Sequence, residues 1–231
     1  MGRPGEGCGR FVMRLLSQLE ARVLGVLAEK QHTVPDTYPL SLNSLTAGCN
    51  QKTARSPVIE ATDAEVLGAV DGLKAMSLVF EGSGSRVVRY EHNMGRVLAS
   101  PGAAVALLAV LMLRGPQTTS ELRLNCERLH KFADIAAVEA VLDGLTERYP
   151  PRVVKLARAP GAREPRWAHL LCGEVAEAAY VAGGGGEGAG PSVALSDLAA
   201  LKAEQTRLAA EVAELRALVQ RLARDLGVEG V

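Results

Sequence analysis

The sequence has few aromatic residues: Phe, Trp and Tyr together make up 3% of its 231 residues. That scarcity excludes a platform of stacked rings for reading single-stranded nucleic acid. It also lacks an excess of charge of either sign. Lys and Arg number 26 and Asp and Glu 26, for a formal net charge of zero, which excludes a strongly basic protein that coats DNA. No apolar run is long. Ala103 to Leu113 is the longest, well short of the ~20 residues needed to span a bilayer. Cysteine is sparse too. Cys8, Cys49, Cys126 and Cys172 lie far apart with no Cys-x-x-Cys pair, which fits reduced thiols and not a disulfide framework. Phe11 to Leu16 is too short, and interrupted by Arg14, to be a secretion signal. The expectation is a cytoplasmic protein without a membrane partner.

Motifs of catalysis are missing as well. There is no Gly-x-Ser-x-Gly, no His-Glu-x-x-His and no nucleotide-binding fingerprint. The glycines between Gly183 and Pro191 are not followed by Gly-Lys-Ser/Thr, so they read as a linker and not a P-loop. Cys126 and His130 stand four apart on an expected helix, but a structural zinc needs four ligands. A buried cysteine beside a helix-end histidine is the simpler reading. No catalytic residue, metal or cofactor is expected, and the chain reads as non-enzymatic.

What is present is an ordinary globular composition, 48% hydrophobic and 23% charged, arranged in a repeated order. Ser17-Gln18-Leu19-Glu20 is a capping box that opens a helix carrying Leu19, Val23, Val26 and Leu27. After a loop with Pro35 and Pro39 comes a short helix, Ser41 to Cys49. Thr62-Asp63-Ala64-Glu65 caps a third helix with Val66, Ala69, Val70, Leu73 and Met76 on its buried side. The period then shifts to two. Leu78 to Phe80 and Val87 to Tyr90 read as strands joined by Gly82-Ser83-Gly84-Ser85, a glycine-bearing hairpin connection.

The order repeats after about eighty residues, too long a period for a solenoid. Pro101 opens a helix closed by Gly115-Pro116, Thr118-Thr119-Ser120-Glu121 is a third capping box, and Asp134 caps a helix with Ile135, Val138, Val141, Leu142 and Leu145 inward. Val153 to Leu156 and Trp167 to Leu171 are strand candidates, with Trp167 a core residue. Three helices and a hairpin, twice, is the order of two tandem winged helix-turn-helix domains. The fold class is mainly α with small β-hairpin wings (α+β).

The expected organisation is an extension at 1–12, winged-helix domains at 13–99 and 100–181, a glycine-rich linker at 182–194 and a coiled-coil helix at 195–231. The extension lacks periodicity and is expected to be dispensable, with Met13 as an alternative start to Met1. In the last segment Leu201, Leu208, Leu215 and Leu222 fall every seven residues. Leu198, Gln205, Val212, Val219 and Leu226 fill the alternate seam. Leucine at d with some β-branched residues at a favours a parallel pair, so a homodimer is expected, the alternative being an amphipathic helix folded back onto its own domains.

Several strings resemble the YceH family of bacterial proteins. They are Leu19-Glu20-Ala21-Arg22-Val23-Leu24-Gly25, Glu29-Lys30-Gln31, Pro35 to Asn43, Cys49-Asn50-Gln51-Lys52 with Arg55, Leu113 to Thr118, Glu121-Leu122-Arg123 and Arg128-Leu129. The resemblance runs from about Leu16 to Val175. It implies a tandem winged-helix fold and brings no established activity, substrate or catalytic residue.

A winged helix usually lays its third helix in the major groove and its wing on backbone or minor groove. Here the third helices are acidic. The first carries Asp63, Glu65 and Asp71 against a single cation, Lys74, and the second Asp134, Glu139, Asp143 and Glu147 against Arg148. Cations gather at the wings: Arg158, Arg163 and Arg166 around the second, Arg86 and Arg89 beside the first, with Lys52 and Arg55 in the preceding polar segment. These seven are the candidate phosphate contacts for double-stranded DNA. The alternative is a protein-interaction scaffold whose acidic third helices dock another protein, without DNA. Asn50 is expected to satisfy a helix end, while Gln51 and Lys52 remain open to either role.

Overall fold

The computed structural model describes residues 14–82, 87–158 and 162–175. The contacts divide the chain into Met1–Gly183 and Gly184–Val231, and every described residue belongs to the first unit. The expected extension, linker and leucine seam with Leu201, Leu208, Leu215 and Leu222 therefore lie outside the described residues.

The first half runs α1 (Gln18–Thr33), a 3-10 turn (Pro35–Thr37), β1 (Leu40–Ser41), α2 (Leu42–Cys49), α3 (Asp63–Ala75), β2 (Val79–Gly82) and β3 (Arg89–His92). A short α4 (Met94–Val97) leads to the second half: α5 (Gly102–Arg114), α6 (Thr119–Asn125), α7 (Ile135–Thr146), β4 (Val153–Lys155) and β5 (Trp167–His169). Among the described residues the result is a mixed α+β fold with seven α-helices and small antiparallel sheets. It is compatible with a winged-helix-like architecture.

Local chemistry starts the helices where it should. The Glu20 amide donates to the Ser17 hydroxyl at 3.1 Å, and the Ser17 amide to the Glu20 carboxylate at 2.7 Å. Thr62 with Glu65 and Thr118 with Glu121 form the same reciprocal box. Asp134 alone caps α7 by accepting from the Ala137 amide at 2.7 Å. Each cap satisfies amide donors that a helix start leaves without an intrahelical partner.

The first sheet has the order β1-β3-β2, with Leu40 opposite Tyr90 and Val79 opposite His92. The second pairs β4 with β5, Val153 opposite His169 and Lys155 opposite Trp167. The strand just before α2 has a counterpart before α6, where Gln117 forms a bridge to Trp167. Neither short pairing is visible as a periodic pattern, because two residues cannot show a period. The first hairpin also sits farther along than its sequence suggests: β2 and β3 begin at Val79 and Arg89, leaving Val87 and Val88 exposed.

Every residue from Glu20 to Ala28 in α1 is buried, and so is every residue from Ala104 to Leu113 in α5. A helical stretch buried on every side must be covered on every side. In α1 the cover comes from α2 and α3 on one side and from α5 on another, and α5 in turn carries α6, α7 and β5. Gly25 permits the α1–α5 crossing, since a Cβ there would sit 3.0 Å from the Leu113 Cγ. Gly48 permits the α1–α2 approach in the same way, at 2.6 Å from the Val26 Cγ1. The two halves thus share one continuous core. Backbone bonds reinforce the join: the Ser56 amide donates to the Leu113 carbonyl and the Leu16 amide to the Leu171 carbonyl, both at 2.8 Å.

Candidate nucleic-acid interface

The seven candidate cations divide into four groups. Lys52, Arg158 and Arg163 are exposed. Arg89 and Arg166 are half-buried and already engaged. Arg89 donates to the Thr37 and Pro39 carbonyls at 3.1 and 2.8 Å, fixing the loop before β1. Arg166 donates to the Pro116 carbonyl at 3.0 Å and lies 3.6 Å from the Glu121 carboxylate. Arg86 lies outside the described residues.

Arg55 requires a correction. Its side chain exposes none of its surface. The guanidinium donates to both carboxylate oxygens of Glu29, at 2.8 and 3.2 Å, to the Gln51 carbonyl oxygen at 2.6 Å, and to the Gly48 and Ala54 carbonyls. A guanidinium so enclosed has no donor to offer a phosphate, so Arg55 is an internal brace of the α2–α3 connection. Gln51 belongs to the same brace, with Lys30 donating to it at 3.5 Å. Burial alone would push the Glu29 carboxyl up. The hydrogen bonds and charges of Arg55 and Lys30 outweigh burial and hold it below the usual carboxylate range. Asn50 closes α2 as expected, exchanging two 2.8 Å bonds with the Ala61 backbone.

At the second hairpin Lys155 is exposed and lies 5.2 Å from the centre of the buried Trp167 ring, a cation–π contact that leaves its ammonium facing water. Lys155, Arg158 and Arg163 therefore give this ribbon three exposed cations, with Glu164 the nearby exposed acid. Trp167 is core, 2% exposed, with its indole N–H donating to the Thr119 hydroxyl at 3.3 Å. Arg148 instead turns to the connection between the halves, donating to the Leu98 and Ala99 carbonyls at 3.0 and 2.7 Å.

The third helix of each half presents acid to water. Asp63, Glu65 and Asp71 are exposed on α3, and Glu139 and Asp143 on α7. Neither helix offers a cation on that face to meet a phosphate, apart from Lys74, which is paired with Glu81 and Asp71. Cys126 is buried at the end of α6, and the His130 ring stacks edge-on against Phe132 with centroids 4.7 Å apart. Among the described residues no group of three His, Cys, Asp or Glu side chains could hold a metal, and no helix is long and apolar enough to cross a membrane.

Sequence reasoning missed a cleft of about 270 Å³ whose wall includes Arg22, Ile59, Glu60 and Met112. Arg22 sits in an apolar helical string and carries no motif, so only its burial among residues far apart in sequence reveals it.

Comparison with known proteins gives a consistent set of relatives. The family described as "Protein of unknown function, DUF480" matches residues 16–162. A "UPF0502 protein" of Leptothrix cholodnii is 66% identical over 215 residues, 93% of this chain and 97% of the relative. One from Burkholderia multivorans is 66% identical over 219 residues, covering 94% and 92%. A third, from Burkholderia pseudomallei, is 64% identical over 220 residues, covering 95% and 93%.

Proposed function

As the chain belongs to the DUF480 family, whose curated relatives carry the name UPF0502, we propose that it is a non-enzymatic, DNA-associated protein built from two tandem winged-helix domains. The strings that resemble the YceH family fall within the family match. In this reading the second hairpin contacts duplex phosphates, and the third helices stay clear of the groove. The observation that carries it is the exposed trio Lys155, Arg158 and Arg163 on one ribbon. Lys52, exposed in the turn before α3, supplies a further cation. Phosphate contacts need accessible cations, and these are the ones left after the internally bonded arginines are set aside.

A second reading has its own observation. The exposed acids of α3 and α7, with Leu67 and Ile135 exposed beside them, suit docking of a basic protein partner. Charge reversal separates the two. Glu139→Lys with Asp143→Lys strengthens duplex binding if DNA lies near the second domain, because it removes repulsion. If duplex binding is absent in the wild type and unaffected by reversal, the scaffold reading stands in its place.

The leucine seam supports a dimer. Each fully buried leucine contributes roughly 1.5–3 kcal/mol, which pairing of two such stripes would supply. Truncation after Gly190 should halve the mass seen by light scattering while preserving the thermal transition. A full-length chain that is monomeric at tens of micromolar would remove the dimer from the proposal.

A further inference from the structure

We propose that the cleft between the amino-terminal end of α1, the segment before α3 and Met112 of α5 binds a small apolar α-amino acid in its zwitterionic form. Arg22 is 4% exposed and forms part of the cleft wall. Its guanidinium donates to the Cys49 carbonyl at 3.1 Å and the Pro57 carbonyl at 2.6 Å, and its Nε is buried with no partner. Among the described residues no carboxylate forms an ion pair with this guanidinium. The nearest strong influences are burial and the repulsion of Arg55, which together lower the basicity of Arg22. A buried cation without an anion is costly, and a guanidinium with five donors, two of them engaged, is built to take a carboxylate.

The rest of the cleft narrows the ligand. Leu19, Ile59 and Met112 form an apolar wall. Glu60 stands exposed on the rim and pairs with no cation among the described residues. The Glu65 carboxylate, also in the lining, accepts from the Thr62 amide and hydroxyl at 2.8 Å each, both through Oε2. Acid on the rim repels polyanions such as phosphates, yet it complements an ammonium. A buried cation, an exposed carboxylate and apolar side chains in the lining of one cleft match the three parts of an amino acid with an aliphatic or thioether side chain. The volume, about 270 Å³, lies at the small end of ligand sites and suits a ligand of that size.

The test is isothermal titration of the full chain with leucine, methionine and glycine, and with two leucine analogues: isocaproate, which lacks the ammonium, and isoamylamine, which lacks the carboxylate. Leucine or methionine should bind at least about tenfold more tightly than glycine or either analogue. Arg22→Gln tests the deep cation, but Arg22 also holds backbone and its loss can unfold the protein. Glu60→Gln is therefore the decisive variant, since its side chain is exposed and unbonded. It should erase the preference for leucine over isocaproate by weakening leucine while isocaproate binds no more weakly than to the wild type. Absence of binding by leucine and methionine up to about 10 mM, a Kd far weaker than specific ligands show, overturns the proposal. Equal affinity for leucine and isocaproate in the wild type, or an unchanged preference in Glu60→Gln, overturns it too.

Discussion

Replacing Glu29 by Gln is expected to destabilise the protein out of proportion to the change in shape. The substitution keeps the side-chain volume and one acceptor oxygen but removes the negative charge opposite Arg55. Arg55 exposes none of its side chain and Glu29 only 16%, so water cannot replace the lost charge. Arg22 and Arg55 would then remain as two buried cations that already repel each other. Removing one partner of a buried pair costs about 3–5 kcal/mol. In a body of this size each kcal/mol moves Tm by about 2–4 °C, so Tm should fall by about 6–20 °C. Thermal unfolding followed by far-UV circular dichroism measures it directly. Arg55→Met alone should cost less, because Glu29 keeps Lys30 at 2.9 Å. Adding Glu29→Gln to Arg55→Met should then cost little more, giving a strong coupling in the double-mutant cycle. The pH dependence has a definite sign. Glu29 is held below its ordinary value, so the pair's contribution is present above the unfolded carboxyl pKa of about 4.3 and is lost as pH falls through the folded value. The gap between wild type and Glu29→Gln should therefore narrow in acid. A fall in Tm below about 3 °C at neutral pH, under 2 kcal/mol on the same scale, would refute the account of Arg55 as an internal brace.

Two further outcomes follow from local geometry. Ala54 has φ 58°, where a Cβ costs about 1–2 kcal/mol. Glycine adds about 0.5–1 kcal/mol of chain entropy, so Ala54→Gly should be more stable by about 0.5–1 kcal/mol, read as a higher urea midpoint at unchanged m. Destabilisation would show that the Ala54 methyl is needed for packing. Burial, with a smaller effect of His32, pushes the His92 imidazole down to about 4, and its Nε2 lies 2.8 Å from the Gln31 Oε1. Its neutral form therefore stabilises the fold above about pH 6.5, a contribution lost as pH falls through about 4. In NMR its ring signals should stay fixed from about pH 8 to about pH 5; titration near the free value of about 6.5 would contradict that.

Helix starts were legible because each capping box is local: Ser17 with Glu20, Thr62 with Glu65 and Thr118 with Glu121 are three residues apart. So was the burial of Trp167 and the structural role of Asn50. The brief strand β1 and helix α4 were not, since two or four residues leave no period to detect. The fate of Arg55 was illegible for a different reason. Its partner Glu29 lies far back on α1, and a buried arginine in a polar string looks identical to an exposed one. The same holds for Arg22, whose acceptors Cys49 and Pro57 come from the end of α2 and from the segment before α3. Charge patterning identified where cations are concentrated, but only tertiary contacts separated Arg158 and Arg163 from Arg89 and Arg166.

If phosphates meet the second hairpin, duplex affinity falls with salt along a slope that the exposed cations of that hairpin set. Each phosphate contact contributes about −0.9 to the slope of log K against log salt. Changing Arg158 and Arg163 together to Ala should weaken binding to duplexes of unrelated sequence alike and make the slope shallower by about 2 for each bound chain. Wild-type binding that is undetectable at low salt, or a slope that the double substitution leaves unchanged, would contradict the account.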